Sequence, residues 1–170
     1  KNLFIDLDDT LWDIHQNGKE CLEEIFSDYR FDRFYSAFDD FYNVYMPSNN
    51  HLWGLYRLGQ ITKDELIVER FLVPVRPFGI DDPEFAKKLS DDFLERTTHK
   101  TGLVEGTKEL LEYLKPKYRM HILSNGFREV QYKKMFFESA ASPFCHLCNR
   151  ETGGVRCNDS ARFHNLFKPC

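Results

Sequence analysis

The chain begins with a short, almost continuously apolar run, Leu3 to Leu7, in which carboxylates start at Asp6 and continue through Asp8 and Asp9. An apolar run without alternation predicts a buried strand of a parallel sheet, so the acids gather where that strand ends. From Ile14 to about Thr98 the period becomes helical. The segment FDRFYSAFDDFYNVY sets Phe31, Phe34, Tyr35, Phe38, Phe41, Tyr42 and Tyr45 at steps of three and four, which predicts one aromatic stripe on one helix. Thr62 and Glu65 have the spacing of a capping box, and Asp82-Pro83 supplies an N-cap followed by proline at the first helical position. About four helices fill this middle stretch.

Beyond THKTGLVEG the period changes again. Thr107 to Leu114 is amphipathic, with Leu110, Leu111 and Leu114 on one face, and it leads through Pro116 into RMHILSNG, a second apolar strand ending in small polar residues. A polar helix, REVQYKKMFF, follows, then a weaker strand around Phe144 to Cys148 and a final helix near Ser160 to Phe167. The order predicts a parallel α/β core, residues 1–13 and 101–170, with an all-helical insertion, 14–100, after the first strand.

Composition narrows the class. Of 170 residues, 42% are hydrophobic and 29% charged, a globular balance, and 16 Phe with 8 Tyr give an aromatic interior. The net charge of −4 argues against a partner that is a nucleic-acid polymer. No stretch reaches the roughly 18 apolar residues of a membrane span, and no basic region leads into an apolar signal segment, so the expected location is the cytoplasm without membrane association. Lys1 at the first position suggests that the true start lies upstream. Four of five cysteines (Cys145, Cys148, Cys157 and Cys170) crowd the tail, which argues against a disulfide framework across the fold.

Ligands of open α/β sheets bind beyond the carboxyl ends of the strands, and both polar clusters sit at strand ends. Asp6 and Asp8 are one residue apart and point to the same side of an extended chain. Such a pair repels itself unless a cation holds it ionised, and Mg²⁺ suits a few carboxylate or carbonyl oxygens plus a substrate phosphate. One carboxylate can then attack phosphorus while the other protonates the leaving oxygen. In ILSNGF, the Ser124 hydroxyl and the N–H groups of Asn125 and Gly126 converge just before a helix, an arrangement that holds an anion. Either cluster alone is ordinary turn chemistry; together they are specific. The aromatic stripe reads as packing, Trp12 as a residue lining the site, and the six histidines as surface or hydrogen-bonded groups.

DLDDTLWD together with ILSNGF resembles the haloacid dehalogenase (HAD) superfamily of aspartate-nucleophile phosphatases. The resemblance implies a HAD-like, Rossmann-like parallel sheet core whose helical insertion is the small cap of the first subfamily. NNHLWGLYRLGQITKDEL is similar to the cap of the pyrimidine 5′-nucleotidase branch. By this resemblance Asp6 is nucleophile and metal ligand, and Asp8 is the acid/base whose main-chain carbonyl also reaches the metal. Thr10 fixes the loop beside the substrate, and Ser124, Asn125 and Gly126 hold the phosphoryl group. The implied cofactor is Mg²⁺, and the implied partner a small phosphorylated substrate such as a nucleoside monophosphate.

The family's third motif, a lysine followed by proline, falls on Cys157 and Asn158, with Arg156 one position earlier. Its fourth motif, a carboxylate at the end of a further strand, is expected beyond residue 170, which makes the core incomplete at its C-terminal side. The alternative function is therefore a catalytically impaired phosphate-binding relative. A zinc module built on CHLC with Cys157, His164 and Cys170 is a further alternative resting on the tail alone.

Overall fold

The computed structural model describes residues 1–137, 144–151 and 154–157, with side chains over 1–134. The chain divides into two compact units, one made of Lys1–Asn17 with Thr98–Cys170 and the other of Gly18–Thr97. In the first, strands β1 (Asn2–Ile5), β2 (Arg119–Ser124), β3 (Phe144–Glu151) and β4 (Gly154–Cys157) form one sheet in that order. β1, β2 and β3 are parallel, with Ile5 opposite Ile122, so the ends of β1 and β2 fall on the same edge of the sheet. β4 turns back antiparallel to β3 and sets Cys157 opposite Cys148 along the backbone. The helix expected near Ser160 to Phe167 lies outside the described residues.

β1 is less buried than its apolar run predicts. It lies at one edge of the described sheet, and Phe4 is 47% exposed, stacked on His121 of β2 at 5.0 Å between ring centroids. The apolar interior of this unit lies instead around Leu7, Leu11, Trp12 and Ile122, against which Ile5, Leu111 and Tyr132 pack. Helix α5 spans Thr107–Leu114 and α6 spans Arg128–Phe137, at the limits their polarity patterns set. Leu110, on the expected apolar face of α5, is exposed.

The two stretches that lead into and out of the helical segment are paired with each other inside this first unit. Asp13 N–H donates to Gly102 O at 3.0 Å, and the Asn17 side chain both donates to Gly102 O at 2.8 Å and accepts from Gly102 N–H at 3.0 Å. A β-carbon on Gly102 would lie 2.5 Å from Asn17 Oδ1, so glycine is what allows this approach.

Helix α1 (Ile14–Asp28) runs from the first unit into the second, which also holds α2 (Phe38–Arg57), α3 (Lys63–Val75) and most of α4 (Pro83–Thr98). The capping box forms as spaced: Thr62 Oγ1 accepts from Glu65 N–H at 3.2 Å and the Glu65 carboxylate accepts from Thr62 N–H at 2.7 Å. Asp82 Oδ1 accepts from Glu84 and Phe85 N–H, and Pro83 opens α4.

The aromatic stripe does not sit on one helix. Arg30 adopts a left-handed conformation (φ 55°), Phe31–Arg33 form a 3₁₀ turn, and Ala37 is extended before α2 begins. The stripe is thus broken in the backbone and rejoined in space, where Phe31, Phe41 and Tyr45 are buried and the Phe31 and Phe41 rings lie 4.9 Å apart. Its role as core holds; its continuity does not, because helical spacing survives a turn that returns the chain to the same interior. Arg70 is buried in this unit without a carboxylate bonded to it among the described residues, its Nε donating to Ser90 Oγ at 2.6 Å and its guanidinium 4.8 Å from the Phe93 ring centroid.

Candidate functional site

The turn after β1 is wound tightly on one carbonyl. Leu7 O accepts from the N–H groups of Thr10, Leu11 and Trp12 at 3.3, 2.9 and 2.9 Å, and Asp9 N–H donates to Trp12 O at 2.9 Å. This winding forces Asp9 to φ 63°, a left-handed conformation that aspartate tolerates better than most residues. Asp6 therefore stays at the strand end while Asp8 is turned toward the body of the unit, and Asp9 is exposed beside His15 (3.4 Å).

Partial burial pushes the Asp6 carboxyl above its ordinary range, and repulsion from Asp8 and Asp9 adds to the effect. Hydrogen bonds from the Leu7 N–H and the Thr10 side chain oppose it. Asp6 and Thr10 are thus brought together. Asp8 is held differently, by two side chains of α6. Lys134 Nζ lies 2.9 Å from Asp8 Oδ1, and Gln131 Nε2 donates to Asp8 Oδ2.

Gln131 also reaches the second cluster, its Nε2 donating to Ser124 Oγ at 2.7 Å. Ser124 Oγ accepts in addition from Gly126 N–H at 3.1 Å, which fills both acceptor positions of the hydroxyl and leaves its hydrogen as the group it has to offer. Gln131 is 1% exposed and its Oε1 has no hydrogen-bond partner among the described residues. An amide turned the other way would set that oxygen against the Asp8 carboxylate, two acceptors with no proton between them. Gly126 leaves room for the amide, since a β-carbon there would come within 2.8 Å of Gln131 Cδ. Asn125 is exposed.

Asp6, Asp8, Thr10, Ser124 and Gly126 thus occupy the strand-end region that their spacing suggests, with Asp8 and Ser124 linked through Gln131. Sequence reasoning missed Gln131 and Lys134. The signal lay in α6 itself: Val130, Gln131 and Lys134 share its buried face, and an amide and an ammonium stand where apolar residues would ordinarily be. Cys157 lies on β4, and its side chain is outside the described residues. Among the described residues no cluster of three or more His, Cys, Asp or Glu is arranged to hold a metal ion, and no helix is long and apolar enough to cross a membrane.

A three-strand parallel run, paired carboxylates after its first strand and a serine hydroxyl at the end of its second define a HAD-like α/β fold. That fold is the one shared with solved haloacid dehalogenase-like structures, and the sequence is similar to one curated HAD-hydrolase. It is 27% identical over 145 residues to YfnB of Bacillus subtilis strain 168, a protein described as a HAD-hydrolase, covering 85% of this chain and 58% of that one. No family model matches the chain.

Among solved structures, the orthorhombic crystal form of Bacillus subtilis YfnB bound to magnesium superposes with a TM-score of 0.75 at 22% identity, over 88% of this chain and 64% of that one. The L-2-haloacid dehalogenase of Xanthobacter autotrophicus superposes with a TM-score of 0.58 at 15% identity, over 86% and 55%. The chain therefore spans somewhat more than half the length of these relatives.

Proposed function

We propose that the chain carries the site of a Mg²⁺-dependent phosphomonoester hydrolase that works through an aspartyl phosphate on Asp6. The observation that supports this most is the Gln131 bridge, which ties a second carboxylate, Asp8, to a serine hydroxyl with a hydrogen to give. Displacing a halide needs no proton on the leaving group, whereas an ester oxygen leaves more easily when protonated, so a second carboxylate held beside the anion-binding hydroxyl favours phosphate esters.

Asp6 attacks phosphorus, and Asp8 gives a proton to the departing ester oxygen. Asp8 then takes a proton from the water that opens the acyl phosphate. Ser124 donates its hydroxyl hydrogen to a phosphate oxygen, with the Asn125 and Gly126 N–H groups beside it, while Thr10 steadies the Asp6 carboxylate.

The donor set fits Mg²⁺. Both Asp8 carboxylate oxygens are engaged by Lys134 and Gln131, which leaves the Asp6 carboxylate and the Asp8 main-chain carbonyl to hold the ion. This is the small protein contribution that Mg²⁺ takes alongside water and substrate phosphate. When bound, the ion would supply charge neutralisation and Lewis acidity at the transferred group. The proposed substrates are small phosphorylated metabolites, nucleoside monophosphates first, from the resemblance of residues 49–66 to a nucleotidase cap. Mg²⁺-dependent phosphate release from a panel of nucleoside monophosphates tests the reading; equal release by Asp6→Asn refutes it.

Cys157, standing where the family pattern has lysine, favours a second reading in which phosphate binds but turnover is weak. If so, Cys157→Lys raises turnover, by up to about 10²- to 10³-fold should it restore an electrostatic donor at the transferred group. Unchanged turnover with intact phosphate binding removes this explanation.

A further inference from the structure

We infer that Lys134 and Gln131 form a positioning pair that sets Asp8 for proton transfer and ties its placement to the phosphate-holding hydroxyl of Ser124. The inference rests on the proposed reaction and adds to it two residues that the strand-end motifs do not contain.

Lys134 is 9% exposed, and its ammonium is enclosed between Asp8 Oδ1 at 2.9 Å and the Trp12 ring, whose centroid lies 3.6 Å from Nζ. The indole is itself fixed, because Trp12 Nε1 donates to Lys100 O at 3.1 Å. Burying an ammonium is costly, and an apolar residue at the same place on α6 would avoid that cost, so this lysine reads as retained for what it does to Asp8. Gln131 lies one helical turn before it and takes the other Asp8 oxygen. Together they fix the carboxylate's plane as well as its position. The ammonium fixes one oxygen, and the amide fixes the other while sharing its nitrogen with Ser124 Oγ.

The two residues therefore have separable effects. Lys134 holds Asp8 Oδ1, so its loss misplaces the proton donor and lowers kcat more than it changes KM. Gln131 touches both clusters, so its loss changes kcat and KM together.

Steady-state kinetics with Mg²⁺ and the best nucleoside monophosphate of the panel test the pair, using wild type, Lys134→Ala, Lys134→Met and Gln131→Leu, each with a thermal melt. Lys134→Ala is expected to lose about 10- to 100-fold in kcat, the usual cost of an orienting partner. Ethylammonium added to the buffer should restore part of that loss. Lys134→Met, which fills the space an added amine would need, should lose as much and not respond. Gln131→Leu should raise KM as well.

A response to amine confined to Lys134→Ala is what positioning requires and a purely structural role does not give. An active wild type with undiminished Lys134→Ala and Lys134→Met variants overturns the inference alone. So does lost activity in Lys134→Ala that the amine leaves untouched. A wild type without Asp6-dependent phosphate release overturns the proposed reaction, and this inference with it.

Discussion

Gly126 and Gln131 meet with no space for one further carbon: a β-carbon on Gly126 would lie 2.8 Å from Gln131 Cδ and 3.2 Å from Asp8 Oδ2. The glycine is needed for this approach rather than for a left-handed backbone, since its φ is not among the positive ones. Gly126→Ala should displace the amide from both Asp8 and Ser124, costing about 1–3 kcal/mol as overpacking does, together with most of the proposed phosphatase activity. Urea denaturation checks the stability cost. Adding Gln131→Ala to Gly126→Ala should recover stability but not activity, which separates the clash from the function of the amide.

Asp6 gives a pH-dependent prediction. Its carboxyl is pushed above the ordinary value of 3.8, first by burial and then by Asp8 and Asp9. The folded chain thus holds a proton there that the unfolded chain releases, and stability falls as pH rises from the unfolded value through the folded one. Asp6→Asn removes that loss. In chelator, the variant should melt above wild type at neutral pH, and the gap should close as pH falls below the ordinary carboxylate value.

Magnesium should reverse this order. An ion bound only by the folded state stabilises by about 2.7 kcal/mol at a hundredfold excess over its Kd. Titrating Mg²⁺ should raise the wild-type melting temperature and leave Asp6→Asn nearly unmoved. An equal rise in both would exclude Asp6 as the charged ligand.

In the helical unit, burial lowers the Arg70 pKa, and Ser90 supplies its closest hydrogen bond, at 2.6 Å. Ser90→Ala should cost about 1–3 kcal/mol, because it leaves a buried donor unsatisfied. Arg70→Met, which removes the buried charge and keeps the bulk, should cost less than Ser90→Ala or stabilise, as exchanges of buried ions for apolar side chains do. Urea midpoints of the two variants decide the order.

Asn17 faces both polar groups of the Gly102 peptide, as donor to one and acceptor from the other. Asn17→Ala should cost about 1–3 kcal/mol through the unpaired peptide groups. Asn17→Asp should cost more, because it turns an acceptor toward the Gly102 carbonyl and buries a charge. Thermal melts at neutral pH would rank them.

Local rules carried the sequence reading where the physics is local. The Thr62–Glu65 capping box, the Asp82-Pro83 start of α4 and the limits of α5 and α6 follow from side chains acting within one turn. The strand-end carboxylates and Ser124 were legible because their chemistry is unusual for their place in the pattern. The failures were non-local. Nothing near Ala37 in sequence announces that the aromatic stripe breaks there, since the spacing of its rings continues across the turn. The exposure of Phe4 depends on what lies beside β1, and that of Leu110 on what lies over α5. Lys134 and Gln131 are 126 and 123 positions from Asp8, so only the folded chain shows that a polar helix turns an amide and an ammonium toward the acid.

The pairing of Asn17 with Gly102 bears on how such a chain could have been assembled. The stretch between them leaves and rejoins the sheet-bearing unit at one stitched point, so from that unit's side it is a single closed loop. Closing a loop costs entropy that grows only with the logarithm of its length. Helices between the stitches could lengthen, shorten or be exchanged with little added burden on the strands that carry Asp6 and Ser124. Sequence change can then accumulate in one segment while Asp6 and Ser124 stay where they are.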